Sequence, residues 1–181
     1  LGLFSSAIAI IMGTILGTLS ALKKNTAADR VIMFIVTVGI AVPSFVVATV
    51  SMVLFGVKWN ILPTVSRLDS LSSYILPGFA LSFFSLSFIT RLMRSSMLDV
   101  INQDYIRTAR AKGLDEKVVI NKHAKRNALI PVVTVAGQLL IGLLMGVIIV
   151  EAVFNRPGLG SFVAQSASQL DYASVMGALL F

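Results

Sequence analysis

Long apolar runs separated by short polar stretches set the plan of this chain. A bilayer core about 30 Å thick requires about 20 apolar residues in a helix. The segments Leu1 to Leu22, Val31 to Phe55, Tyr74 to Thr90 and Leu129 to Val153 reach or approach that length, and Tyr172 to Phe181 reads as the start of a fifth. The second run contains Pro43, which frees a carbonyl and predicts a kink. The third run is marginal, and Arg91 and Arg94 at its end are expected to relieve this by extending their charged tips to the headgroups. The pattern predicts an all-α, polytopic membrane fold of about five helices.

Composition agrees. Hydrophobic residues make up 56% of the chain and charged residues 13%, against about 25% charged in an ordinary soluble domain. Cysteine is absent, which excludes disulfides and thiolate metal sites. A chain that starts at Leu1 and ends within an apolar run is expected to be a piece of a longer protein.

The charges predict orientation. Of 15 basic residues, three lie between Lys23 and Arg30 and nine between Arg91 and Arg126. Only Lys58, Arg67 and Arg156 lie on the other side of the predicted spans. By the positive-inside rule the two basic loops, with Asn25 and Asn121, are cytoplasmic. Gly56 to Ser73, with Ser70, and Asn155 to Asp171 are then external. The net charge of +7 is mostly topogenic, and no nucleic-acid partner is expected.

The faces of the spans point to packing. Ala9, Gly13, Gly17 and Ala21 recur every four residues, a ridge that lets a neighbouring backbone approach closely. Thr37, Ala41, Ser44, Ala48 and Ser51 form a small, mildly polar stripe on the second run, and Gln138, Gly142 and Gly146 share a face of the fourth. These stripes are either helix interfaces or, through Ser44 and Gln138, the lining of a translocation path.

The most informative stretch is Asp104 to Pro131. It carries Arg107, Arg110, Lys112, Lys117, Lys122, Lys125 and Arg126. Gly113 is placed to stop one amphipathic helix, Asp115 to cap the next, and Glu116 to sit in its positive first turn. Chemistry elsewhere is sparse. There is no phosphate-binding G-x-x-x-x-G-K-[ST] loop. The sole histidine, His123, has no carboxylate cluster beside it. Glu151, at the outer end of the fourth run, is expected to pair with Arg156. No nucleophile and base stand together, so no catalytic residue, bound cofactor or metal is expected in this chain.

The basic stretch resembles the coupling loop of binding-protein-dependent ABC importer permeases. The form Arg107-Thr-Ala-Arg-Ala-Lys-Gly-Leu114, with the later His123-x-x-Arg-Asn-Ala-Leu129, resembles the oligopeptide/dipeptide/nickel subfamily more closely. Asp29-Arg30, Ala41-Val-Pro-Ser-Phe45, Val150 to Gly160 and Asp171-Tyr172 carry the resemblance along the chain. The Phe154-x-x-Pro-Gly-Leu-Gly160 form is typical of the first, B-type permease of each pair. Where the wider family has Glu-Ala-Ala, this chain has Arg107, Thr108 and Ala109, so no contact is carried over from that glutamate.

The resemblance implies the type I importer fold and a multi-pass place in a bacterial or archaeal plasma membrane. It also implies an amino-terminal helix ahead of Leu1. Expected partners are a second homologous permease, two cytoplasmic ATP-binding subunits that hold ATP and Mg, and an extracytoplasmic substrate-binding protein. The cargo would be peptide, with nickel chelates or other small solutes as the alternative. Arg107, Thr108, Ala109, Arg110, Ala111, Lys112, Gly113, Leu114 and Asp115 would meet the ATPase, and Asn155, Arg156, Pro157, Gly158, Leu159 and Gly160 the binding protein. A channel or secondary transporter that does not use ATP, and a scaffold subunit, are the rival readings.

Overall fold

A computed structural model describes residues 1–63, 71–145 and 148–180. Arg67, Ser70 and Gly146 lie outside the described residues. The fold is helical, with no strand among the described residues. The helices are α1 (Gly2–Leu22), α2 (Ala27–Ala41), α3 (Ser44–Ser51), α4 (Ile75–Ile101), α5 (Asp104–Ala111), α6 (Glu116–Val118), α7 (Lys125–Met145), α8 (Ile148–Val153), α9 (Leu159–Ser168) and α10 (Tyr172–Leu180). Three helical stretches are long and apolar enough to cross a membrane: Gly2–Leu22, Ser72–Ile101 and Glu116–Leu143. The bent pair Ala27–Ala41 and Ser44–Lys58 makes a fourth if taken as one span.

Three boundaries differ from the expectation. The second run breaks outright: α2 stops at Ala41, and Pro43 opens α3, its carbonyl accepting from the amides of Val46 and Val47. A proline cannot donate to a preceding turn, but it sits without penalty at a helix start. The third span is not short. No breaker follows Thr90, so α4 continues through Arg91 and Arg94 to Ile101. The fourth begins early, because a π-helical segment Val119–Ala124 joins α6 to α7 without interruption.

By contact the chain divides into two compact units. One contains Ser6–Ala41 and Phe84–Leu139. Its core gathers Ile89, Met93, Met97, Ile106, Val119, Ala124, Ala128 and Val132, with Ala9 and Ala21. The small-residue ridge of α1 packs here against α4. A Cβ built on Gly13 would lie 2.8 Å from the side chain of Ile89, and one on Gly17 2.6 Å from Met93 Cβ and the Thr90 carbonyl oxygen. Only hydrogen fits at these two positions.

Polar groups pin the same unit. Thr26 accepts from the amide of Asp29 at the start of α2, an N-cap. Asp29 is buried. Its carboxylate accepts from Ser20 Oγ, from the Asn25 amide at 2.9 Å, and from Arg94 Nε and Nη2 at 2.8 Å each. Arg94 therefore turns to a carboxylate instead of extending to headgroups. Arg91 likewise donates to Thr37 Oγ1 at 3.2 Å.

The other unit contains Leu1–Ser5, Val42–Phe83 and Leu140–Phe181. Ala48, Leu76, Ala80, Leu81, Leu143, Val150 and Phe154 form its core. Ala48 and Ser51 of the second small stripe are buried here, so that part of the stripe is packing surface. Asp171 caps α10, accepting from the amide and hydroxyl of Ser174.

Candidate functional site

The basic hairpin is built by its turn chemistry. Helix α5 ends at Ala111, and Gly113 takes φ of +74°, the left-handed conformation that costs other residues about 1–2 kcal/mol. Its built Cβ meets nothing within 4 Å. The glycine therefore serves the reversal and not a close approach. Asp115 then accepts from the Lys117 amide at 2.7 Å and caps α6, as its position predicted.

Across the reversal Arg110 donates from Nη2 and Nε to Glu116 at 2.7 and 3.1 Å. The base of the hairpin is closed by a further bond, Asn127 Nδ2 to Tyr105 Oη at 2.8 Å, while Asn127 Nδ2 also donates to the carbonyl of His123 at 3.2 Å. The Tyr105–Asn127 tie was not read from sequence.

The hairpin residues divide by face. Ile106 and Ala109 are buried in the core of their own unit. Ala109 is small because it packs inward, which replaces the expectation that it meets a partner groove. Arg107, Thr108, Arg110, Ala111, Lys112, Gly113, Leu114 and Asp115 are exposed. The exposed surface thus joins small residues and the apolar Leu114 to a row of cations, a form suited to docking in a partner's cleft.

Ser44 is half-buried at the start of α3, and Gln138 is exposed on α7. Gly142 is exposed too, with open space at its Cβ. Among the described residues, nothing closes the α7 face carrying Gln138 and Gly142.

The second candidate region is the turn from α8 to α9. Asn155 takes φ of +46°, the Arg156 amide donates to the Glu151 carbonyl at 2.8 Å, and the Asn155 amide to the Ala152 carbonyl at 3.3 Å. These are the two bonds of a Schellman ending, and Pro157 follows it as a helix stop. The expected Glu151–Arg156 ion pair is absent among the described residues. The Glu151 carboxylate instead accepts from the Ser161 amide at 3.1 Å, in the first turn of α9. Ser161 Oγ also accepts from the Gly158 amide. A carboxylate at a helix amino end satisfies free amides and complements the dipole. A Cβ on Gly158 would collide with that carboxylate.

Arg156 packs on an aromatic ring. Its guanidinium lies 3.8 Å from the centre of the Tyr74 ring, a cation–π contact. Within this turn Arg156 and Gly160 are buried, Gly158 is half-buried, and Asn155, Pro157 and Leu159 are exposed. Among the described residues no group of three or more His, Asp or Glu side chains is placed to hold a metal ion.

Residues 13–181 match the family described as binding-protein-dependent transport system inner membrane component. The chain is 40% identical over 181 residues to the dipeptide transport system permease protein DppB of Bacillus subtilis (strain 168), covering 100% of this chain and 58% of that protein. It is 42% identical over 172 residues to DppB of Lactococcus lactis subsp. cremoris (strain MG1363), covering 93% and 56%. The glutathione transport system permease protein GsiC of Salmonella typhi is 42% identical over 172 residues, covering 95% and 56%. The chain thus spans less than two thirds of the length of these relatives. With its helical, multi-span fold and its match along nearly the whole length, the chain belongs to the family of binding-protein-dependent transport system inner membrane components.

Proposed function

We propose that this chain is the core of a permease subunit in an ATP-driven importer of short peptides. The observation that carries the reading is identity of about 40% across 93% to 100% of the chain to proteins named for dipeptide and glutathione transport, since glutathione is itself a short peptide. The substrate class is therefore peptide, ahead of nickel chelates.

In this reading the chain performs no bond chemistry and holds no cofactor. ATP and Mg reside in two cytoplasmic ATP-binding subunits. The exposed side of α5 and its turn, from Arg107 to Asp115, docks on one of them. Closure of the ATPase then moves a hairpin braced by Gly113, the Arg110–Glu116 pair and the Tyr105–Asn127 bond. A rigid lever can transmit a rigid-body transition. The unclosed α7 face, with Gln138 and Gly142, meets the second permease or the translocation path, while Ser44 has a weaker claim on that path because it is half-buried. Asn155, Pro157 and Leu159 face an extracytoplasmic binding protein.

Uptake of labelled dialanine into vesicles holding both permeases, the ATPase subunits and the binding protein tests the proposal. Accumulation that requires ATP and binding protein supports it. Equal uptake by this polypeptide alone without ATP would favour a channel or secondary carrier.

A further inference from the structure

The turn from α8 to α9 walls a cleft of about 440 Å³ lined by Glu151, Asn155, Arg156, Ser161, Phe162 and Gln165, among others. That volume lies in the range of small-ligand sites, about 300–1,000 Å³. Two opposite charges border it. Arg156 is 7% exposed, and its Nη1 is buried with no hydrogen-bond partner among the described residues. Tyr74 covers a face of the guanidinium, but a π face leaves the in-plane donors unsatisfied. A buried charged donor without a partner is costly, and its ordinary complement is a carboxylate. Glu151, 9% exposed, accepts one described hydrogen bond, from the Ser161 amide. A carboxylate offers about four acceptor sites, so capacity for a cation remains. Exposed Asn155 and Gln165 add amides, and exposed Phe162 adds apolar surface.

We infer that this cleft is a binding site on the permease itself for a short peptide with free termini, its carboxylate held by Arg156 and its ammonium by Glu151. A zwitterion satisfies both charged groups at once, whereas a simple anion would leave Glu151 facing a like charge. The inference rests on the peptide-importer reading and adds a substrate contact within this chain. It also gives the two charges of the turn separate tasks: Glu151 caps α9 and anchors the amino end, and Arg156 reads the carboxyl end.

The test is equilibrium binding of labelled dialanine to the assembled transporter in nanodiscs, without binding protein. Saturable binding should weaken at least tenfold when dialanine is replaced by its carboxyl-terminal amide or its N-acetyl derivative. Arg156→Gln should abolish the preference for a free carboxylate, and Glu151→Gln, which keeps an acceptor for Ser161, should abolish the preference for a free ammonium. These selectivity changes would not follow from misfolding, which lowers all binding alike. Absence of saturable binding, or binding indifferent to amidation, overturns the site. Loss of binding-protein affinity in Arg156→Gln with no change in peptide selectivity also overturns it, and assigns Arg156 to a carboxylate of that protein. ATP-driven uptake measured on the same preparation separates the two claims: intact uptake with no cleft binding removes the site and leaves the importer, whereas no peptide uptake removes the importer.

Discussion

The carboxylate of Asp29 and the guanidinium of Arg94 meet in a two-point ion pair, 2.8 Å at each contact. Ser20 and the Asn25 amide satisfy further lone pairs of the carboxylate. The pair joins the start of α2 to α4, 65 residues apart in sequence. Breaking one side strands a buried charge, which costs about 3–5 kcal/mol. Removing both partners in favour of well-packed apolar residues costs much less. We therefore expect Asp29→Leu and Arg94→Met each to lower the unfolding temperature of the purified permease strongly, and the double variant to recover part of the loss. Additive losses in this thermal-shift cycle would show that the two residues act independently.

The α1–α4 contact gives a second expectation. Gly17→Leu forces atoms into Met93 and the Thr90 carbonyl, and overpacking of this kind costs about 1–3 kcal/mol. Gly142→Leu meets open space among the described residues. The first variant should lose thermal stability. The second should keep it, and should lower co-purification of the second permease if that face is a subunit contact. Equal stability of the two variants would remove the packing role of the ridge.

Sidedness is tested by labelling. A cysteine at Asn121 should react with impermeant thiol reagent only from the cytoplasm, and one at Gln169 only from outside. Both residues are exposed. The reverse pattern would invert the orientation and withdraw the ATPase-facing role of the hairpin.

The two faces of α5 should separate in mutants. Ala109→Glu buries a charge in the chain's own core and should destabilise the hairpin whatever the ATPase does. Thr108→Trp and Ala111→Trp alter only exposed surface, so they should leave the unfolding free energy within about 0.5 kcal/mol of the parent while weakening capture of the ATPase subunit. A drop in stability equal to that of Ala109→Glu would place these side chains in the fold.

Much of this was legible from residue order because local chemistry decided it. Apolar run length marked the spans, Gly113 and Asp115 fixed the hairpin turn, and the four-residue spacing of Gly13 and Gly17 marked a close helix contact. The misses were choices of partner across distance. Arg94 chose Asp29 over headgroups, and Glu151 chose an α9 amide over nearby Arg156. Ala109 turned inward with Ile106, three residues before it on the same face of the amphipathic α5, a periodicity that outweighs its place among the hairpin's small residues. The length of α4 was missed because polar residues after Thr90 read as a loop, although none of them ends a helix.

In the proposed importer, ATP hydrolysis and peptide uptake are joined through the exposed side of the α5 hairpin. The most direct measurement is the ratio of dialanine transported to ATP hydrolysed in vesicles, for the parent and for Gly113→Val. Valine resists the positive φ of the reversal without altering a span. Normal membrane insertion is expected, with either loss of the ATPase subunit or hydrolysis that continues while uptake per ATP falls at least tenfold. A Gly113→Val transporter that keeps both its ATPase subunit and the parent ratio would contradict the account, leaving the segment a passive basic hairpin.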